Sequence, residues 1–155
     1  MPLDKKVNSM EEEWEVIYTP GHAGDHVAFY QKQTRCIFTG DLFVTSKPQV
    51  IMDSESIPQT INSIRKLLTY EFHSIFCSHA GFIEEGRTKL ASKLDYLEYL
   101  SGEVAVLYKQ GYTEPEIRER LFPIKYAITD ISNGEWDSLH IITSIISAID
   151  KKTFS

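Results

Sequence analysis

Apolar residues fall in short alternating runs in the first half of the chain and at helical spacing in the second. Trp14-Glu15-Val16-Ile17-Tyr18 reads as a strand that Pro20-Gly21 ends. Val27-Ala28-Phe29-Tyr30 reads as a second strand, Gln31 to Thr34 as a polar turn, and Arg35-Cys36-Ile37-Phe38-Thr39 as a third strand ended by Gly40-Asp41. After Ser54 the period changes. Ile57, Ile61, Ile64, Leu67 and Leu68 recur at i, i+4, i+7, i+10 and i+11, one apolar face of a helix that Ser56 can cap and that tolerates Pro58 in its first turn. Ser74-Ile75-Phe76-Cys77-Ser78 is a fourth strand. A long helix from about Glu84 to Lys109 carries Leu90, Leu94, Leu97, Val104 and Leu107, and Gly111 closes it. Thr113 and Glu116 form a capping box for a short helix that stops before Pro123. A last helix, about Glu135 to Asp150, turns Leu139, Ile142, Ile145, Ile146 and Ile149 inward.

The order strand, strand, strand, helix, strand, then three helices predicts an α/β layer arrangement with one sheet of about four strands. Those strands are apolar on both alternating sets: Val27 and Phe29 against Ala28 and Tyr30, Cys36 and Phe38 against Ile37. Such a sheet expects cover on both faces. The helices supply one cover, and no second layer of strands is visible in the chain.

The length, 155 residues, suits one ordinary domain, and the net charge of -6 with no basic run disfavours a nucleic-acid partner. LHIITSIISAI is too short to span a bilayer, and MPLDKKVNSMEEEW lacks the apolar core of a secretory signal. Cys36 and Cys77 each sit in an apolar strand and read as reduced core thiols, so the expected setting is a soluble, cytoplasmic one.

Candidate chemistry gathers at strand ends. His22, Asp41 and His79 each follow a strand, next to or two residues from a glycine, on the sheet edge where α/β proteins bind ligands. Two imidazoles and a carboxylate suit a borderline divalent ion such as zinc, and a carboxylate can also bridge two ions. Each residue alone is as well explained as a turn or surface position, and Gly40-Asp41 is a common turn pair. His26, four residues after His22, reads as lining the site or supporting its ligands, with metal binding as the alternative, and Asp25 reads as a turn residue or as an acceptor for an imidazole N–H. His140 reads as a helix-surface residue or a substrate-pocket contact, His73 as a solvated one, and Glu11-Glu12-Glu13 as a solvated charge run.

TPGHAGDH after a strand, then FTGD, then CSHAG resembles the C-terminal half of the metallo-β-lactamase-fold hydrolases. The resemblance extends over roughly residues 11–150, through the late EWDSLHIITSII helix. It implies half of an αββα sandwich, a mixed sheet with helices on one face, and a two-zinc centre. His22 would belong to the first metal and His79 to the second, with Asp41 the bridging, catalytic carboxylate. It also implies water-activated hydrolysis of an ester, thioester, lactone, lactam or phosphodiester bond in a small-molecule substrate.

The family's His-x-His-x-Asp-His run, which supplies four more ligands, has no counterpart here. The chain therefore reads as a single partial domain, a split or truncated product: a loose segment 1–10, a strand-rich ligand region 11–81 and a helical region 82–155. Weak zinc binding and little or no hydrolysis are expected of it alone. Its uncovered sheet face is expected to pair with an N-terminal half or a second copy. The competing expectation is an inactive metal-binding or dimerising remnant of the fold.

Overall fold

The computed structural model describes residues 5–9 and 12–153. Its main sheet is built from β1 (Lys6–Ser9), β2 (Glu12–Tyr18), β3 (Val27–Gln31), β4 (Cys36–Gly40), β6 (Ser74–Cys77) and β7 (Gly81–Ile83), in that spatial order. Neighbours run antiparallel except β4 and β6, which are parallel. The parallel pair requires a crossover, and α1 (Ile57–Leu67) provides it. Ser56 caps α1 by accepting the Gln59 N–H, with Pro58 in the first turn. The capping box of α3 (Glu114–Leu121) forms as the sequence predicts: Glu116 Oε2 accepts from both the backbone N–H and the hydroxyl of Thr113.

The helices α1, α2 (Gly86–Lys109) and α5 (Ser138–Thr153) pack on one another and cover one face of the sheet. In register across that face run Tyr30, Ile37, Ile75 and Ile83; Ile37 and Ile75 are fully buried. The opposite face carries the row Val16, Phe29, Phe38, Phe76 and Phe82, directly paired from β2 through β7. Phe38 is 41% exposed and Phe82 57%. Phe38 stacks on Phe76 with centroids 4.6 Å apart, and Trp14 meets Phe38 edge-on at 5.2 Å. Among the described residues, no helix or strand covers this aromatic row.

The mixed sheet with helices on one face is the expected architecture, with six strands in place of about four. The N-terminal segment expected to be loose contributes β1, because Lys6–Ser9 pairs with Glu12–Glu15 at the sheet edge; residues 1–4 and 10 of that expectation lie outside the described residues. The three residues of β7, beginning at Gly81, fold back on β6. A separate two-stranded ribbon joins β5 (Ile51–Met52) to β8 (Trp136–Asp137). The short helix α4 (Ala127–Ile131) precedes β8. No described helix is long and apolar enough to cross a membrane.

Candidate metal centre

The TPGH turn is held by α1 as well as by its own strands. Its mouth is closed by the Thr19 N–H donating to His26 O at 2.9 Å. Ser63 donates its hydroxyl to Pro20 O at 2.6 Å, and the Ser56 N–H donates to Gly21 O at 2.8 Å. A Cβ on Gly21 would lie 2.3 Å from Thr60 Oγ1 and 2.8 Å from the Thr60 backbone, so only glycine lets the turn seat on α1. Gly40 turns at φ +50°, and a Cβ there would strike His26 Nε2 at 2.9 Å. The Ser78 N–H donates to Gly40 O at 3.3 Å, tying the Asp41 turn to the loop that carries His79.

These ties bring His22, Asp41 and His79 together. His22 Nε2 lies 3.5 Å from Asp41 Oδ2, and His79 Nε2 lies 3.1 Å from Asp41 Oδ1. Asp41 thus stands between two imidazoles, each presenting Nε2. Despite the nearby His79 ring, Asp41 Oδ1 is buried and accepts no hydrogen bond. Among the described residues, no group of three or more His, Cys, Asp and Glu side chains is arranged to hold an ion by itself.

Two residues that the sequence pattern did not single out complete the surroundings. Glu55, in the turn before α1, places Oε2 3.2 Å from His22 Nδ1. Lys93 of α2 is buried, and its ammonium donates to Leu42 O at 2.7 Å, one residue past Asp41. Burial pushes the Lys93 amine down to about 8, against the opposing pull of Glu55. A cavity of about 500 Å³ opens beside the cluster. His22, Asp41, His79, Glu55 and Lys93 border it, and its walls are largely apolar, including Val50, Ile57, Leu97, Ile128 and Trp136.

The remaining sequence candidates lie around this cluster. His26 is half-buried beneath it; its Nδ1 is 2.9 Å from Thr19 Oγ1 and 3.1 Å from Thr19 O, and its ring centroid is 6.3 Å from that of His22. Burial first, and then the charge of His22, pushes the His26 imidazole below its ordinary range. Asp25 is exposed, and no described hydrogen bond joins it to an imidazole of the cluster. His140 pairs through Nε2 with Gly134 O at 2.8 Å and lines a second depression with Asp53 and Ser56; Glu55 borders both that depression and the apolar chamber.

With this geometry in view, the likenesses to known proteins become specific. The profile of the Metallo-beta-lactamase superfamily matches residues 4–79, the stretch that carries all three strand-end ligand candidates. The chain is 42% identical over 100 residues to a hydroxyacylglutathione hydrolase of Francisella tularensis subsp. novicida, covering 59% of this chain and 38% of that protein. It is 45% identical over 49 residues to a probable metallo-hydrolase, YybB, of Bacillus subtilis, covering 29% of this chain and 22% of that one. The chain therefore spans well under half the length of these relatives. Among solved structures, the metallo-beta-lactamase family protein TTHA1429 of Thermus thermophilus superposes with a TM-score of 0.72 at 16% identity, over 99% of this chain and 50% of its own. The sec-alkylsulfatase Pisa1 of Pseudomonas sp. gives 0.69 at 16% identity, over 94% of this chain and 25% of its own. With the strand-end motifs, the sheet and the helical layer all in agreement, this chain is a metallo-β-lactamase-fold protein.

Proposed function

We propose that this chain supplies one half of a two-metal hydrolase site, with His22 serving one ion, His79 the other and Asp41 bridging them. The observation that carries the reading is Asp41 itself: a carboxylate between two imidazole Nε2 atoms, with one buried oxygen that accepts no hydrogen bond. A buried, unsatisfied carboxylate oxygen is costly unless something else binds it. Two nitrogens and a carboxylate are the donor chemistry that zinc prefers. Bound zinc would lower the pKa of a water and polarise a substrate carbonyl or phosphoryl oxygen.

The protein's own part is to orient and to exclude water. The α1 latch on the TPGH turn sets where His22 stands, and Lys93 holds the Leu42 carbonyl and with it the turn that aims Asp41. The chamber receives the organic part of the substrate. Its walls favour an apolar acyl or alkyl group, so the substrate we favour is an ester or thioester of a hydrophobic acid.

The aromatic row on the open sheet face is assigned to the complementary layer, on the same polypeptide or a separate one, that brings the His-x-His-x-Asp-His ligands. A contiguous apolar patch of this kind marks an interaction surface. We place the chain in the cytoplasm on the strength of its two buried, free thiols, Cys36 and Cys77.

The test is zinc content of the parent, His22→Ala and Asp41→Ala, each equilibrated against the same excess of free zinc. It is followed by hydrolysis of a 4-nitrophenyl alkanoate with and without a complementary half carrying that motif. Zinc lost in both variants, and a rate gained on mixing, support the proposal; equal zinc in all three proteins overturns it. A second reading, a non-catalytic remnant of the fold, draws on the 63% exposure of the His79 side chain and predicts zinc binding with no rate gained on mixing.

A further inference from the structure

Glu55 has no place in the ligand set, yet it is more enclosed than the ligand candidates around it. Its side chain is 13% exposed, against 21% for His22, 33% for Asp41 and 63% for His79. One carboxylate oxygen, Oε1, accepts the Met52 N–H at 3.0 Å. The other, Oε2, lies 3.2 Å from His22 Nδ1. The next residue, Ser56, donates its N–H to Gly21 O, so the backbone holding Glu55 is joined to the backbone holding His22. The carboxylate is therefore anchored at one end by its own turn and brought up to the ring by the neighbouring turn.

We propose that Glu55 is a positioning residue for His22: it accepts a hydrogen bond from Nδ1–H, fixing the neutral tautomer that leaves Nε2 unprotonated toward Asp41. A free imidazole favours the opposite tautomer, with the proton on Nε2, which cannot bind a cation through that nitrogen. A carboxylate behind Nδ1 reverses the preference, fixes the ring's rotation and raises its basicity as a ligand. The inference rests on the metal reading for its purpose, and on the Glu55–His22 pairing alone for its geometry.

The distinguishing variant is Glu55→Gln. Its single amide oxygen is retained by the Met52 N–H, which turns the NH2 group toward His22 Nδ1. That nitrogen must then accept, and the ring proton moves to Nε2.

The experiment uses the full, 15N-labelled, metal-free chain at about pH 8, above the ordinary imidazole range. Long-range 15N–1H spectra read the His22 tautomer directly. The expected result is a proton on Nδ1 in the parent, and a proton on Nε2 alone in Glu55→Gln. Titration with cobalt(II), followed by its visible absorption, is expected to show an affinity ~10–100-fold lower in Glu55→Gln and Glu55→Ala. A parent His22 with no proton on Nδ1 overturns the proposal and needs no variant to fold. An unchanged tautomer and unchanged cobalt affinity in a folded Glu55→Gln overturn it as well. The Nδ1 tautomer in a parent that takes up no cobalt upholds the Glu55 pairing and removes the two-metal reading instead.

Discussion

Ile37 and Phe38 are adjacent in β4 and equally apolar, but they belong to opposite faces of one sheet. Ile37 lies under the helices at 0% exposure; Phe38 lies on the open side at 41%, held by Phe76 and Trp14. The same alternation that buries one residue displays the next. The helix-covered side has a closed core and the chamber next to Asp41. The open side has an ordered aromatic surface that only another layer can bury. Burial is concentrated on one face and exposed aromatic surface on the other.

Substitution at these neighbours tests that division most strongly. Ile37→Ala is expected to cost about 2–5 kcal/mol in urea unfolding, since it opens a cavity in a filled core. A cost near zero would mean that the helix side is not the stable core.

Lys93 probes the same covered side through pH. Its native amine titrates at about 8, below its ordinary 10.5, so at neutral pH the fold carries a buried ammonium. Between those values the unfolded chain binds more protons than the native one, and stability rises with pH. The contribution is fully unfavourable below about pH 8 and is relieved by about pH 10.5, a gain of about 2–4 kcal/mol. Denaturant midpoints of the parent and Lys93→Met from pH 7 to 10.5 are expected to differ by this slope. Parallel curves would place the ammonium in solvent.

Phe38→Ala is expected to have the smallest effect on unfolding, about 1 kcal/mol from lost ring contacts. Its larger effect is expected in light scattering and in binding of a hydrophobic dye, both of which should fall. A Phe38→Ala cost equal to that of Ile37→Ala would erase the contrast between the faces.

How far the sequence could be read follows from the range of the interactions. The strands β2, β3, β4 and β6 and the helices α1, α2, α3 and α5 were legible because each carries its own period, cap or breaker. The β5–β8 ribbon was not: Ile51 pairs with Asp137, and two residues of strand carry no period of their own. Lys93 left a trace that the apolar list of α2 passed over, since Leu90, Lys93, Leu97, Leu100 and Val104 form one buried stripe. Glu55, between two serines in a turn, left none; its role comes from His22, which lies far earlier in the chain.

By itself the sequence determined the layered α/β character, the helix caps and the three strand-end positions from which ligands could converge. These depend on contacts within a few residues, where side-chain type and backbone geometry are directly linked. The tertiary structure alone decided that Asp41 stands between two imidazoles, that Glu55 backs one of them, and that the described residues cover a single sheet face. Those outcomes come from α1 latching a distant turn and from helices choosing one of two apolar faces. That choice depends on chain connectivity and packing, and no local pattern encodes it.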